Sequence, residues 1–195
     1  EALGVTHLLI PQRWWGNAKE IEASSLDCLA MTSHIAAHSQ RLQLVTAIHP
    51  GFFQPAAIAK WGATLSRLTE GRWSINVTSG WNLSEFSMYG VDALDHDLRY
   101  DRSKEFIDVT KGAWSDPKFS YRGKYYTVRD LVLEPRPVGD LEIFQGGQSP
   151  AAIEMACEYS DWMFLNGGSL EKIRSIIERV RAVAAGGPMP KFAVY

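Results

Sequence analysis

Short apolar segments alternate with helical patterns along most of this sequence, and the alternation limits the folds open to it. Six apolar segments predict β-strands, at residues 6–11, 42–48, 73–77, 141–145, 162–165 and 191–195. Five helical patterns lie between them, at about residues 24–37, 55–68, 100–114, 151–159 and 170–184. Strands that alternate with helices pair in parallel through right-handed crossovers, so the sequence predicts an α/β fold.

Two architectures satisfy this alternation, an open doubly wound sheet and a β/α barrel. Small and polar residues follow every predicted strand, which favours the barrel, because an open sheet gathers its ligand contacts at one switch point. A complete eight-stranded barrel typically needs about 250 residues, whereas this chain has 195. We therefore predict one (β/α)8 TIM-barrel-type domain over residues 1–195, with about six of its eight strands and without the first strand and the C-terminal part.

Two stretches stand apart from the alternation. Residues 81–99 predict an insertion after the third strand. Residues 118–137 are rich in aromatic and β-branched side chains and carry a turn signal at Arg122-Gly123. This pattern is typical of antiparallel strands, so we predict a β-hairpin outside the main sheet.

Local signals also predict how individual elements begin and how deeply they are buried. Residues 6–11 form a continuous apolar run, which is typical of a strand buried on both faces. Ser24 or Ser25 is predicted to cap the first helix and Ser169 the last, because a hydroxyl oxygen accepts from the free amides of a helix start. Pro55 stands at a favourable first helical position.

Composition excludes several classes of protein. Hydrophobic residues make up 46% and charged residues 22% of the chain, and the formal charge of −2 gives no electrostatic case for binding nucleic acid or an acidic membrane surface. No apolar run approaches the roughly 18 residues of a membrane span, and no signal peptide precedes Glu1, so a cytoplasmic protein is expected. Cys28 and Cys157 lie far apart in helical patterns and predict buried, reduced thiols. The five histidines lack paired spacing, and no metal site is predicted.

In a β/α barrel, ligands bind the residues that follow each strand. The positions of this kind are Gln12, Arg13, His49, Asn76, Thr78, Gly80, Glu85, Gln148, Ser149 and Asn166. After the third strand, Asn76, Thr78 and Glu85 bring a carboxamide, a hydroxyl and a carboxylate to one strand end. Such a set is typical of a binding site rather than of a hydrophobic core.

The sequence Gly146-Gly147-Gln148-Ser149 follows the fourth strand and precedes a helix. Glycines ahead of a serine at a helix N-terminus offer free amides, the positive end of a dipole and a hydroxyl, which suits a phosphate. The alternative is a tight turn with a serine helix cap.

The remaining candidates each allow a structural interpretation as well. Arg99 could pair with a phosphate or carboxylate and Tyr100 could stack on a ring, or Arg99 could form an ordinary salt bridge beside the helix cap. His49 could be an acid–base group or a structural histidine. Trp14, Trp15 and Trp81 could cover an aromatic cofactor or pack an interior. The residues alone thus indicate a phosphate-bearing ligand in a barrel.

Several motifs occur in an order and spacing that together are specific. They are Leu8-Leu9-Ile10-Pro11, Leu68-Thr69-Glu70-Gly71-Arg72, Asn76-Val77-Thr78-Ser79-Gly80-Trp81, Glu85, Arg99-Tyr100, Arg122-Gly123-Lys124, Pro135-Arg136-Pro137 and Gly146-Gly147-Gln148-Ser149. In these motifs the sequence resembles the bacterial luciferase-like superfamily of flavin-dependent monooxygenases. The branch it is most similar to contains the alkanesulfonate, dimethylsulfone and pyrimidine monooxygenases.

The resemblance implies a set of roles for this chain. It implies contacts with reduced FMN from Gln12, Arg13, Asn76, Thr78, Glu85, Arg99, Tyr100, Gly146, Gly147, Gln148 and Ser149. Ser149 and its glycines would hold the phosphate, and His49 and Tyr100 would contact the reacting oxygen or the substrate. In this family reduced FMN reacts with O2 to give a peroxyflavin that oxygenates the substrate, and the cofactor carries that chemistry.

The resemblance also implies partners. Reduced FMN would come from a separate flavin reductase, the substrate would be a small organosulfur compound or N-heterocycle, and the protein would be a homodimer or homotetramer. Relatives of the alkanesulfonate branch have a cysteine where this chain has Ser25 and tend to have an arginine at His49, and both departures argue against a sulfonate substrate. Two alternatives are a truncated, non-catalytic flavin-binding homologue and an oxidoreductase that uses the deazaflavin F420.

Overall fold

The computed structural model describes residues 4–15 and 25–194 and divides the chain into two compact units, Glu1–Leu141 and Glu142–Tyr195. The predicted helix start at Ser24 and the predicted strand end at Tyr195 lie outside the described residues. Both units are built from parallel strands joined by helices.

The first unit contains three parallel strands with β2 between its neighbours. The strands are β1 (His7–Ile10), β2 (Gln43–Ile48) and β3 (Trp73–Val77). Their crossover helices are α1 (Cys28–His38) and α2 (Pro55–Leu68). All five residues of β3 are buried, as are the last five of β2, so these two strands form the centre of the unit. Because parallel strands share a direction, residues after β2 and after β3 emerge on the same edge.

The prediction that the first strand is buried on both faces is wrong for most of β1. Ile10 is buried, but Leu8 and Leu9 are only half-buried and His7 is exposed. Within the described residues β1 pairs with β2 on one side. A strand bordered on one side lacks the cover that a central strand receives, and the apolar run alone does not reveal this.

The first helix begins at Cys28 rather than at residue 24, and its cap is Asp27 rather than Ser25. An Asp27 carboxylate oxygen accepts from the Ala30 amide at 2.8 Å. A carboxylate at the positive end of the helix gains from the dipole as well as from the hydrogen bond. The Ser25 hydroxyl instead accepts from the Arg13 amide at 2.8 Å.

Helix α2 has the predicted bounds, with Pro55 as its first residue. It packs on β3 through Gly62, where a Cβ atom would lie 2.2 Å from the Trp73 indole. A glycine is therefore required for the helix to approach the strand this closely.

The insertion after β3 contains a helix that the sequence did not predict, α3 (Leu83–Met88). Asn82 caps it, with its side-chain oxygen accepting from the Ser84 amide at 3.2 Å. The next helix, α4 (His96–Ser115), begins four residues before the predicted position. Six residues are too few to give a helical periodicity, which is why α3 leaves no signal in the pattern of apolar residues.

Two antiparallel strands, β4 (Phe119–Arg122) and β5 (Thr127–Leu131), form a separate two-stranded sheet. The turn between them is held by Glu105 of α4, whose carboxylate accepts from the backbone amides of three consecutive residues. These amides belong to Lys124, Tyr125 and Tyr126, at 2.8, 2.9 and 3.2 Å. One side chain thus fixes the turn to the helix.

The second unit repeats the strand–helix alternation. Its elements are β6 (Ile143–Gly146), α5 (Pro150–Tyr159), β7 (Trp162–Leu165), α6 (Leu170–Ala184) and β8 (Lys191–Val194). The three strands are parallel, with β7 in the middle. The core joins both helices to β7 through Ile153, Ala156, Met163, Leu165, Ile176 and Val180. Helix α6 and strand β7 have the predicted bounds, and Ser169 caps α6 by accepting from the Lys172 amide at 3.3 Å.

Among the helices of residues 4–15 and 25–194, none has the combination of length and apolar character needed to cross a bilayer.

We expect Glu105→Ala to lower the free energy of unfolding by about 1–3 kcal/mol, because three backbone amides lose a charged acceptor. Urea unfolding of the variant measures this loss. Glu154→Ala on the exposed face of α5 is the matched control and should change stability by less than about 0.5 kcal/mol. Equal stability of the two variants would contradict a role for Glu105 in holding the turn.

Candidate functional site

His49 lies at the end of β2 and is 3% exposed. Its Nδ1 accepts a hydrogen bond from the Trp14 indole Nε1 at 3.1 Å. Burial, aided by the nearby charge of Arg13, lowers the pKa of His49 from 6.5 to about 4. The imidazole is therefore neutral at pH 7.

An aromatic cluster surrounds the indole that binds His49. Trp14 stacks on Phe52 with ring centroids 4.3 Å apart and planes at 8°. Phe53 and Tyr89 also contact it, at centroid distances of 5.6 and 5.2 Å. Three rings thus hold the indole in place, so Trp14 packs within the protein as well as standing beside a strand end.

Glu85 is 2% exposed and lies on α3. Its Oε1 accepts from the Trp14 backbone amide at 3.3 Å. Burial raises the pKa of the Glu85 carboxyl, while the Trp14 amide and the Arg13 charge act in the opposite direction. The unpredicted helix α3 therefore carries a predicted site residue to the same aromatic cluster as His49.

Gln12 and Arg13 follow β1. Both polar atoms of the Gln12 amide are engaged: Oε1 accepts from the Cys28 amide at 2.7 Å and Nε2 donates to the Arg13 carbonyl at 2.8 Å. The Arg13 guanidinium lies 5.0 Å from the centre of the Trp81 ring, a cation–π contact. Gln12 thus joins β1 to the start of α1, and the prediction that it binds a cofactor stays a prediction. Cys28 is fully buried, and burial raises the pKa of its thiol to about 12.

Asn76 and Thr78 stand at the end of β3. The Asn76 Nδ2 donates to the Thr78 hydroxyl at 3.3 Å. Within the described part of the chain, the buried Asn76 Oδ1 has no hydrogen-bond partner. An unpaired buried carbonyl is costly, so this oxygen is a candidate acceptor for a ligand N–H group.

Two arginines one turn apart on α4 are buried. Arg99 is 7% exposed and donates from Nη1 to the Leu94 carbonyl at 2.8 Å, while Arg102 is 8% exposed. The Nε atoms of both, and Nη2 of Arg102, lack partners among the described residues. Desolvation lowers the pKa of Arg102. Tyr100 is half-buried, with its ring centroid 5.1 Å from that of His96.

In the second unit, the predicted phosphate loop lies between β6 and α5. Ser149 caps α5, with its hydroxyl accepting from the Ala152 amide at 3.2 Å. Gly147 has φ +119°, a backbone conformation that favours glycine. The buried Gln148 Nε2 and Gln145 Oε1 have no partner within residues 4–15 and 25–194. The loop therefore combines a serine cap with an unpaired donor and an unpaired acceptor.

A sequence model of luciferase-like monooxygenases matches residues 1–195. The chain belongs to this family. It is 42% identical over 186 residues to an FMNH2-dependent dimethylsulfone monooxygenase of Pseudomonas fluorescens, covering 95% of this chain and 50% of the relative. It is 25% identical over 182 residues to the pyrimidine monooxygenase RutA of Allorhizobium ampelinum, covering 90% of this chain and 50% of the relative. The chain thus spans about half the length of the curated relatives it matches.

A solved structure of the EDTA monooxygenase EmoA from a Chelativorans species superposes on this luciferase-like chain with a TM-score of 0.81. The match covers 95% of this chain and 51% of EmoA, at 20% identity. Identity this low bears on the fold alone. The predicted α/β fold of TIM-barrel type is confirmed, with three parallel strands in each unit of this chain.

In the first unit, His49 and Glu85 both accept hydrogen bonds from Trp14 and so share the aromatic cluster around it, while Asn76 and Thr78 stand at the end of β3. Their roles in binding a cofactor stay predictions. Sequence reasoning missed Arg102 and Gln145. Arg102 carried a usable signal, since it lies one helical turn after Arg99 and therefore on the same face of α4.

We expect the stability of the protein to fall as pH drops from 6.5 to 4, by about 3 kcal/mol from His49 alone. In this window the unfolded chain binds a proton at His49 and the folded protein does not, which favours the unfolded state. The contribution of His49 to the free energy of unfolding is fully present above pH 6.5. Urea unfolding of wild type and His49→Gln at several pH values measures it. The exposed His34→Gln variant serves as control and should keep the wild-type slope. Parallel pH profiles for wild type and His49→Gln would contradict a neutral, buried His49.

Proposed function

We propose that this chain is part of a reduced-FMN-dependent monooxygenase that uses O2 to oxygenate a small uncharged organic molecule. The observation that carries the proposal is the 42% identity, over 95% of the chain, to an FMNH2-dependent dimethylsulfone monooxygenase. Reduced FMN would be delivered by a separate flavin reductase. A homodimer or homotetramer is proposed on the family resemblance.

The polar groups of the chain fit a flavin. The isoalloxazine ring carries carbonyl oxygens, ring nitrogens and an N–H group, and FMN adds a phosphate. Among the described residues of the first unit, the buried unpaired atoms include an acceptor on Asn76 and a donor on Arg99. A ligand with both donors and acceptors would satisfy atoms that are otherwise costly to bury.

The protein residues would bind and orient the flavin and keep water out, and the bound flavin would supply the activation of O2. The rings of Trp14, Phe52 and Phe53 form an apolar surrounding for His49 and Glu85. Exclusion of water strengthens every hydrogen bond made there, because the local dielectric constant falls.

An uncharged substrate is favoured by the groups at the end of β2. His49 is neutral at pH 7 because burial and the Arg13 charge lower its pKa to about 4. An arginine at position 49 would attract a sulfonate, and this chain lacks it. The named substrates of the relatives, dimethylsulfone and pyrimidine, are also uncharged. We therefore propose an organosulfur compound or an N-heterocycle as the substrate.

A flavin-binding protein without catalysis is the second candidate. The family match is to the sequence and not to turnover, so binding of a flavin and oxygenation of a substrate are separate proposals.

We expect product formation when the chain is incubated with FMN, NADH, a flavin reductase and O2, using a panel of dialkyl sulfones and pyrimidines followed by mass spectrometry. Omission of the reductase should abolish the product. Binding of reduced FMN without any product would reject the monooxygenase and support the second candidate. Thermal shifts with FMN, reduced FMN and F420 test the flavin itself, since the tighter ligand raises the melting temperature more.

We expect Ser149→Ala to weaken the binding of reduced FMN by about 1–3 kcal/mol, because the hydroxyl would hold the phosphate. Anaerobic fluorescence titration measures the Kd. Ser169→Ala is the matched control, since Ser169 caps α6 as Ser149 caps α5. Equal loss of stability with unchanged FMN affinity in both variants would leave Ser149 as a helix cap.

A further inference from the structure

The hydrogen bond between Trp14 and His49 determines which nitrogen of the imidazole carries the proton. The indole N–H can only donate, so the His49 Nδ1 that it contacts at 3.1 Å must accept. A neutral imidazole has one protonated nitrogen. His49 therefore holds its proton on Nε2.

Trp14 is itself held by its neighbours. Phe52 stacks on one face of the indole, and Phe53 and Tyr89 pack against it at an angle. The backbone amide of Trp14 donates to the buried Glu85 carboxylate. The direction of the indole N–H is thus set by packing before any ligand binds.

The backbone at His49 is fixed as well. The Phe52 amide donates to the His49 carbonyl at 2.9 Å, which closes a turn after β2. The Tyr126 hydroxyl donates to the Pro50 carbonyl at 2.6 Å. A Cβ atom at Gly51 would lie 2.5 Å from Nη2 of Arg102, so the turn is packed closely on α4.

The ionisable groups near His49 agree with a neutral imidazole that carries its proton on Nε2. Arg13 opposes a second proton on the ring by charge repulsion. Glu85 is joined to the Trp14 amide, and Tyr126 is joined to the Pro50 carbonyl.

We propose that Trp14 is a positioning residue that fixes His49 as a neutral Nε2–H donor, and that this donor binds an uncharged acceptor oxygen of the substrate, of the sulfonyl or carbonyl class. This inference rests on the proposed function. It assigns His49 hydrogen bonding rather than proton abstraction, because a protonated Nε2 has no lone pair to accept a proton. A neutral imidazole adds no positive charge at position 49, whereas an arginine there would add one and strengthen the binding of an anion.

The protonation of His49 is observed directly by long-range 1H–15N correlation spectra of the chain labelled with 15N-histidine. His49→Gln identifies the signal by its disappearance. We expect wild type to show the proton on Nε2 from pH 5.5 to 8. In Trp14→Phe, which keeps a ring but removes the donor, we expect a mixture of the two neutral tautomers. Trp61→Phe, on α2, is the control and should leave the signal unchanged.

Two outcomes of this spectrum overturn the proposal. One is a wild-type His49 with its proton on Nδ1. The other is a folded Trp14→Phe variant with an unchanged tautomer. Should Trp14→Phe not fold, the wild-type spectrum alone decides the tautomer. Neither result requires flavin or turnover, so the test is independent of the monooxygenase activity.

The substrate class is tested with two molecules of similar shape and different charge, dimethyl sulfone and methanesulfonate. Each molecule is titrated into the protein with reduced FMN under anaerobic conditions, and the shift of the His49 Nε2 signal gives its Kd. We expect the Kd of dimethyl sulfone to be at least tenfold lower than that of methanesulfonate. Tighter binding of methanesulfonate, or no shift with either probe, would overturn the substrate assignment.

Kinetics separate a donor from a base at His49. Glutamine can present an N–H group near the position of Nε2, whereas phenylalanine cannot. We expect His49→Gln to keep kcat within about tenfold of wild type and to retain more kcat/KM than His49→Phe. A wild-type pH profile without an ionisation near 6.5 is also expected, because His49 is neutral above its pKa of about 4. Equal losses in His49→Gln and His49→Phe would indicate a base. A protein without turnover but with the expected tautomer would reject the proposed function alone.

Discussion

Burial of β2 and β3 is the constraint on which the first unit depends. Their residues are covered by α2 and by neighbouring strands, so few polar side chains are tolerated along their length. The polar groups of the candidate site lie where the strands end, and His49 and Asn76 lie at the same edge because the strands are parallel. The location of the polar groups is thus a consequence of how the core is covered.

Burial of polar groups in this unit costs free energy, and hydrogen bonds among the described residues offset only part of that cost. Arg99 and Arg102 are buried cations with N–H groups lacking partners in the described part of the chain, and Asn76 has an oxygen in the same condition. Burial lowers the pKa of His49 to about 4, which leaves its imidazole neutral at pH 7, and burial raises the pKa of the Glu85 carboxyl. Buried polar groups without partners lower stability, and such groups are typical of ligand-binding sites.

The fold was predictable wherever one segment contained its own signals. Helix α2 starts at a proline, α6 starts after a serine cap, and β3 is a compact apolar run, and all three have the predicted bounds. Where an outcome depends on a distant partner, the prediction failed. The exposure of His7 depends on what lies beside β1, and the cap of α1 depends on Ser25 being engaged by Arg13.

The site was predictable to a similar degree. His49 and Asn76 stand at the ends of β2 and β3 as the strand pattern predicts, and their roles in a site stay predictions. The bond from Trp14 to His49 was not predictable, since it joins residues 35 positions apart and depends on where three other rings place the indole. The burial of Arg102 depends equally on packing that no local pattern encodes.

The turn of the β4–β5 hairpin couples a peripheral element to the strand end that bears His49. The Glu105 carboxylate accepts hydrogen bonds from amides of the turn. The Tyr126 hydroxyl, in the same turn, donates to the carbonyl of Pro50, which follows His49. A Cβ atom at Gly123 would come within 2.2 Å of the Glu105 carboxylate, so this contact leaves no space for a larger residue. A substitution in the hairpin can therefore shift the main chain beside His49, and with it the position of the imidazole. The side chains around the imidazole would all remain in place.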